Sequence, residues 1–218
     1  MYTTNIVKLN GENKMIADYT VQYYEDHAQQ FFDNTVNIDM SNVYEKFEKY
    51  LKPNDYILDV GCGSGRDSKY FLSKHYGVDP IDRSEKIAKI ASQLIGKEVR
   101  VTNFLQLDET ETYDAIWASA SLVHISSFTL PYAFDVMTKA LKKNGVLYCS
   151  FKYGTFEGIR NGRYFTFLNE QTFNKVIEEN EWLKVEQIWI TKDNRKDRQN
   201  EKWLNVILRK KENEHDHQ

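Results

Sequence analysis

Only two cysteines, Cys62 and Cys149, occur in 218 residues, far apart and without zinc-site spacing. That excludes a disulfide-stapled scaffold and a thiolate metal site, and it predicts two free thiols in a reducing cytoplasm. No apolar run reaches the roughly 18 residues a membrane helix needs, and the N-terminus lacks the apolar core of a signal peptide. Neither charge sign dominates: 29 Lys and Arg face 32 Asp and Glu, for a net charge of -3. A general nucleic-acid footprint and a polybasic membrane anchor are therefore not expected. Ser-His-Asp and Cys-His arrangements are missing, and so is the Gly-Lys-Ser/Thr of a nucleoside-triphosphate loop.

What is present fits one globular α/β domain. Hydrophobic residues make up 41% of the chain and aromatics 14%, with 14 tyrosines. The stretch Tyr56-Ile57-Leu58-Asp59-Val60-Gly61-Cys62-Gly63-Ser64-Gly65-Arg66-Asp67-Ser68 reads as a buried strand, a tight glycine turn and a helix opening out of it. Glycine there lets backbone approach a ligand closely. A second strand, about His75 to Asp79, ends in a carboxylate before Pro80. This is the pattern of a nucleotide-like site at the carboxyl edge of a parallel sheet. A dinucleotide fingerprint fits poorly, because the third glycine comes one place early and Arg66 stands where a glycine is expected.

The spacing predicts a helix over about Ile16 to Asn34, with Thr20, Tyr23 or Tyr24, His27 and Phe31 on one side. A short helix with a Ser41 cap follows. Ser84 caps a helix from Glu85 to Ile95, which Gly96 ends. Further strands are expected at Val99–Val101, Tyr113–Ala118 and Val146–Tyr153, with a helix from about Ser127 to Leu141. Gly154 to Phe167 lacks periodicity and reads as a loop at the site rim. A helix starts at Asn169-Glu170, and two strands, Leu183–Thr191 and Glu201–Arg209, form a closing antiparallel hairpin.

The segment from Asp59 to Gly65 resembles motif I of the class I S-adenosylmethionine-dependent methyltransferases, hydrophobic-Asp-hydrophobic-Gly-x-Gly-x-Gly. Gly77-Val78-Asp79 is similar to their second-strand acidic motif, and Tyr113–Ala118 and Leu141–Leu147 continue the resemblance. It implies a Rossmann-like α/β fold: a seven-stranded, mostly parallel sheet of order 3-2-1-4-5-7-6, helices on both faces and an antiparallel C-terminal hairpin. Residues 1–50 would form a helical cap belonging to the same domain, 51–211 the methyltransferase core and 212–218 a polar tail whose histidines are solvated.

The resemblance implies S-adenosyl-L-methionine as cofactor and no metal. It places Asp59, Gly61, Cys62, Gly63 and Gly65 around the methionine part, and Asp79 on the ribose diol. Pro80, Phe104 and Leu105 would lie near the adenine, and Ala118 near the sulfonium. Arg66 would reach the methionine carboxylate or pair with Asp67 and Asp79. His124 is the acid–base candidate, with a structural role weighed equally. Ser150–Gly154, Glu157, Arg160, Arg163, Tyr164, Phe165, Asp193, Arg195 and Glu201–Asn205 resemble a signature in a subgroup of small bacterial methyltransferases. Lys152, Arg163 and Arg195 would suit an acidic small-molecule acceptor, with Tyr23, Tyr24 and His27 on the cap facing it. A salt-bridge network with Glu157, Asp193 and Glu201 would explain the same cations without any acceptor.

The expected activity is methyl transfer to O, N or S of a small acceptor, by a monomer or homodimer in the cytoplasm. Two alternatives stay open. One is an RNA-base methyltransferase, against which stand the charge balance and the missing Asn/Asp-Pro-Pro-Tyr/Phe tetrad. The other is a non-catalytic protein binding a nucleotide-like ligand.

Overall fold

The computed structural model describes residues 11–195, 198 and 200–212; side chains are described from Tyr19 onward. The expected polar tail lies almost wholly outside these residues. In chain order the elements are α1 (Gly11–Asp26), α2 (Ala28–Thr35), α3 (Ser41–Glu48), β1 (Tyr56–Val60), α4 (Arg66–Ser73), β2 (Gly77–Asp82), α5 (Glu85–Ile95) and β3 (Arg100–Val101). Then come β4 (Tyr113–Ala118), α6 (Leu130–Ala140), β5 (Leu141–Lys152), β6 (Glu157–Arg160), β7 (Arg163–Thr166), α7 (Glu170–Ile177), β8 (Leu183–Lys192) and β9 (Lys202–Lys210).

Seven strands form one sheet in the order β3-β2-β1-β4-β5-β9-β8. The β1, β2, β3, β4 and β5 pairings are parallel, and β9 runs antiparallel to both β5 and β8. This is the Rossmann-like sheet the resemblance implies, closed by a C-terminal hairpin. The β1 run Ile57 to Val60 is fully covered because both sheet faces are packed. Leu58, Val60, Ile116, Ala118 and Leu147 face α6, while Ile57, Trp117 and Tyr148 face Phe47 of α3 and Phe71 of α4.

β2 does not stop before Pro80, as the sequence suggested, but runs on to Asp82. Cys62 N–H donates to Ile81 O at 2.9 Å on the β1 side, and Thr102 N–H donates to Asp82 O at 3.0 Å on the β3 side. Strand alternation therefore turns the Pro80 nitrogen toward β3, which pairs only with Ile81 and Asp82. The missing N–H breaks no ladder bond, so this proline is tolerated inside a strand.

Three further differences have local causes. The N-terminal helix is interrupted at His27, where the ring Nδ1–H donates to Tyr23 O at 2.8 Å, beside the backbone bond to the same oxygen. The start of α3 is held by Asp39, which accepts from Ser41 N at 2.9 Å, and not by a Ser41 cap. The stretch read as a rim loop contains the β6–β7 hairpin. Its turn is Asn161-Gly162, with φ of 50° and 74°, a two-residue turn with both centres left-handed. The α5 cap is as expected: Ser84 Oγ accepts from Ile87 N at 3.1 Å and Gly96 ends the helix.

Candidate functional site

The carboxyl ends of β1, β2, β4 and β5 open into a cleft of about 460 Å³, covered by α1 and α2. The cap is anchored at both rims. Thr20 Oγ1 accepts from Tyr164 N at 3.0 Å, and Glu25 Oε1 accepts from Ser84 Oγ at 2.6 Å. The glycine turn forms the floor. Gly61 has φ of 66°, and a Cβ there would lie 2.7 Å from Ser121 Cβ. Only glycine satisfies both the dihedral and the close approach of the loop after β4. That loop is itself held in an uncommon conformation: Ala120 has φ of 53°, and its N–H donates to Ser150 Oγ at 2.9 Å.

Facing the turn is Asp82, a half-buried carboxylate at the end of β2. Oδ2 accepts from Gly63 N and Oδ1 from Ser84 N, both at 3.0 Å. Each oxygen keeps acceptor capacity toward the cleft. Burial pushes its carboxyl above the ordinary range, against the hydrogen bonds from Ser84 and Gly63.

At the cap side, Tyr24 and His124 meet. Tyr24 OH lies 2.8 Å from His124 Nε2, and His124 Nδ1 lies 2.7 Å from Tyr164 O. The carbonyl can only accept, so Nδ1 carries the proton and Nε2 accepts from the tyrosine. Burial holds the imidazole down at about 4, so the ring is neutral near pH 7. Beyond the pair, Arg163, Phe165, Lys152 and Trp203 continue the wall.

Two buried charge clusters support these walls. Asp67 accepts from Arg66 Nε at 2.6 Å and Nη2 at 2.9 Å, from Tyr44 OH at 2.5 Å and from Trp117 Nε1 at 2.8 Å. Despite burial, these contacts keep the Asp67 carboxyl below its usual range. In the second cluster, Asp193 takes Arg195 Nε at 2.8 Å and Trp203 Nε1 at 3.0 Å. Burial would raise Asp193, but the Arg195 and Trp203 bonds and the Arg195 charge bring it to about 2. Lys152 Nζ lies 3.6 Å from Asp193 Oδ2 and contacts Glu201, and burial followed by the Arg195 charge lowers it to about 8.

Residues 57–145 match the family of methyltransferase domains. The whole fold superposes on the 1,6-didemethyltoxoflavin-N1-methyltransferase of Burkholderia thailandensis, a structure with bound 1,6-didemethyltoxoflavin and S-adenosylhomocysteine. The TM-score is 0.73 at 17% identity over 97% of this chain and 94% of that one. The chain has the class I methyltransferase fold. The [4+2]-cyclase SpnF shares it, at a TM-score of 0.68 and 14% identity over 88% of this chain and 95% of that one. An uncharacterized protein of Methanocaldococcus jannaschii is 28% identical over 130 residues, 58% of this chain. The match spans about half of that relative's length, 49%.

Within this methyltransferase fold, Gly61, Cys62, Gly63, Arg66, Phe104, Tyr24, His124, Lys152, Arg163 and Arg195 all line the cleft. Asp59, Gly65, Asp79, Pro80, Leu105, Ala118, Tyr23 and His27 do not. Asp79 points away, its Oδ2 accepting from Tyr113 OH at 2.6 Å and Arg100 Nη2 at 2.7 Å. Because β2 continues past Pro80, the carboxylate at the cleft is Asp82, three residues later, and Pro80 is a strand residue outside the lining. Asp59 is buried beneath the turn, accepting from Ser68 Oγ at 2.6 Å, and burial and the Asp67 charge raise its carboxyl. A Cβ at Gly65 would sit 3.1 Å from Ile95 Cγ2, so that glycine serves contact with α5. Leu105 and Ala118 belong to the core under the sheet edge. Tyr23 and His27 stack on each other at 4.3 Å, outside the cleft.

Among the described residues Glu157 takes no part in the cation network expected of it. It accepts from Ser127 N and Oγ at 2.8 and 2.7 Å and from Tyr164 OH at 2.6 Å. Asp82 and Tyr148 line the cleft without having been singled out by sequence, and Phe31 and Ser84 do so after being read only as a helix-face residue and a helix cap. Asp82 was legible from the Ser84 cap, since a strand feeding a helix capped at Ser84 should end just before it.

Proposed function

We propose that this chain is an S-adenosylmethionine-dependent methyltransferase acting on a small-molecule acceptor. The observation that carries this is Asp82, a half-buried carboxylate with open acceptor sites, set opposite the glycine turn in the same cleft as the Tyr24–His124 pair. The residues fit the cofactor. Asp82 matches a ribose diol, and Gly61 to Gly63 offers backbone to the methionine part. Phe104, Arg83 and Thr102 surround room for an adenine. Among the described residues the buried Ser121 Oγ has no hydrogen-bond partner, and it lies beside that floor.

When bound, S-adenosyl-L-methionine supplies a methyl group activated by its sulfonium for in-line displacement. The chain's own work is alignment and exclusion of water. Arg66, engaged by Asp67 and by Thr35 O at 3.3 Å, fixes the cleft wall and joins the cap to it. His124, a weak base at about 4, positions Tyr24. The phenol oxygen then accepts from an acceptor N–H or O–H and turns that atom's lone pair toward the methyl group, and the proton displaced by methylation is lost to water.

Incubating the protein with methyl-labelled cofactor and a fractionated metabolite extract tests the reading. Label moving into a small molecule supports it. Calorimetric binding of a nicotinamide dinucleotide, with no heat from S-adenosylhomocysteine, would refute it. Label moving into RNA would select the RNA-base alternative.

A further inference from the structure

Arg163 is the most unusual charge in the molecule. It is 9% exposed, and among the described residues no carboxylate pairs with it. Its Nη1 donates to Tyr24 OH at 3.4 Å, and among the described residues its buried Nε has no partner. Three rings surround the guanidinium, with centroids 4.6 Å (Tyr23), 5.1 Å (Phe165) and 5.8 Å (Tyr24) from Cζ. Arginine stays cationic in proteins, and a buried charge is costly unless something pairs with it. Ring faces offset only part of that cost.

Three other cations of the cleft wall are paired with carboxylates: Arg66 with Asp67, Arg195 with Asp193, and Lys152 with Asp193 and Glu201. Next to Arg163 lies a second cavity of about 230 Å³, lined by Lys152, Arg160, Arg163, Phe165, Phe167 and Glu201 among others. It shares Lys152, Arg163 and Phe165 with the main cleft. The hairpin turn holds this geometry, since a Cβ at Gly162 would sit 2.7 Å from Tyr23 Cδ2.

We propose that Arg163 is the anchor for an anionic group, carboxylate or phosphate, on a planar methyl acceptor whose reacting atom lies at Tyr24. The inference rests on the methyltransferase reading and adds the acceptor's chemical class. The guanidinium fork takes two oxygens of the anion, while Phe165 and Tyr24 flank the acceptor's ring. Arg195 drops out of the acceptor set, and Lys152 contributes field without direct pairing.

The test titrates benzoate and phenyl phosphate into the protein saturated with S-adenosylhomocysteine, comparing wild type, Arg163→Gln and Arg163→Lys by calorimetry. At least one anion should bind the wild type, at least tenfold more weakly to Arg163→Gln, with partial recovery in Arg163→Lys. The preferred anion separates carboxylate from phosphate acceptors. Failure of both anions to bind, or equal binding to Arg163→Gln, overturns the proposal. So does a tenfold loss of S-adenosylhomocysteine affinity in Arg163→Gln, which would place the cofactor's own carboxylate there. If the wild type gives no heat with S-adenosylhomocysteine, the methyltransferase reading fails instead. Benzoate titrated into the unliganded protein still reads Arg163.

Discussion

The two ends of the cleft are built by different means. The end proposed for the cofactor is backbone and strand geometry: a glycine turn after β1, a carboxylate closing β2 and a capped helix after it, all within Tyr56 to Ser84. The end proposed for the acceptor draws on elements far apart in the chain: Tyr24 of α1, His124 after β4, Arg163 of the β6–β7 hairpin and Trp203 of β9. The first is a local device, built from residues close together in the chain. The second is assembled by long-range packing, and its substitution would retune specificity while leaving the cofactor end intact.

The largest effect that would break this division is expected at the glycine floor. Gly61→Val puts a branched side chain at a φ of 66° and against Ser121. It should destabilise the fold by about 3 kcal/mol and abolish cofactor binding. Urea denaturation together with S-adenosylhomocysteine titration reads both, and a variant of unchanged stability would disprove the tight floor.

Acid acts next, at the acceptor end. The His124 ring falls from its ordinary value near 6.5 to about 4 on folding because it is buried. The unfolded chain therefore binds a proton first as pH drops. Stability from this group is complete above about pH 6.5 and is lost between there and about pH 4, by about 2 kcal/mol once residual solvent exposure is allowed for. Comparing wild type with His124→Asn across pH 7.5 to 4.5 isolates it, and parallel curves would contradict the burial. Asp193, held at about 2 mainly by Arg195, contributes in a separate window below its ordinary value.

Most strands and the capped α5 were legible in the sequence because they follow period, glycine punctuation and cap chemistry over short distances, whereas the strand order came only with the family resemblance. The carboxylate was misplaced because Pro80 was taken as a strand end. Whether a proline ends a strand depends on which way its nitrogen faces, and that is set by a neighbour, β3, only two residues long. The hairpin was missed although Asn161-Gly162 is a strong turn signal, because its aromatic strands lack clean alternation: all four β7 residues are buried. The Tyr24–His124–Arg163 grouping had no local signal, since 100 and 139 residues separate Tyr24 from its two partners.

A smaller effect sharpens the role of the acceptor end. Tyr24→Phe leaves His124 Nε2 without its donor and should slow turnover about tenfold at unchanged S-adenosylhomocysteine affinity, a cost of about 1.4 kcal/mol. Steady-state kinetics with the acceptor found by labelling checks this, and unaltered turnover would assign Tyr24 to packing. The smallest effect lies in the loop between the two ends. Ala120→Gly relieves a left-handed residue and should stabilise the protein by about 0.5 kcal/mol, readable as a raised thermal midpoint. A lowered midpoint would mean that the Ala120 methyl group packs usefully.

The central claim is that the end of β2, past the internal proline, holds the cofactor. S-Adenosylhomocysteine titrated calorimetrically into Asp82→Ala and Asp79→Ala tests it most directly. Asp82→Ala should weaken binding about thirtyfold, roughly 2 kcal/mol, through loss of charge-assisted hydrogen bonds, while Asp79→Ala keeps wild-type affinity and loses only its Arg100 and Tyr113 contacts. The reverse pattern, with Asp79→Ala losing the ligand and Asp82→Ala binding normally, would contradict the account.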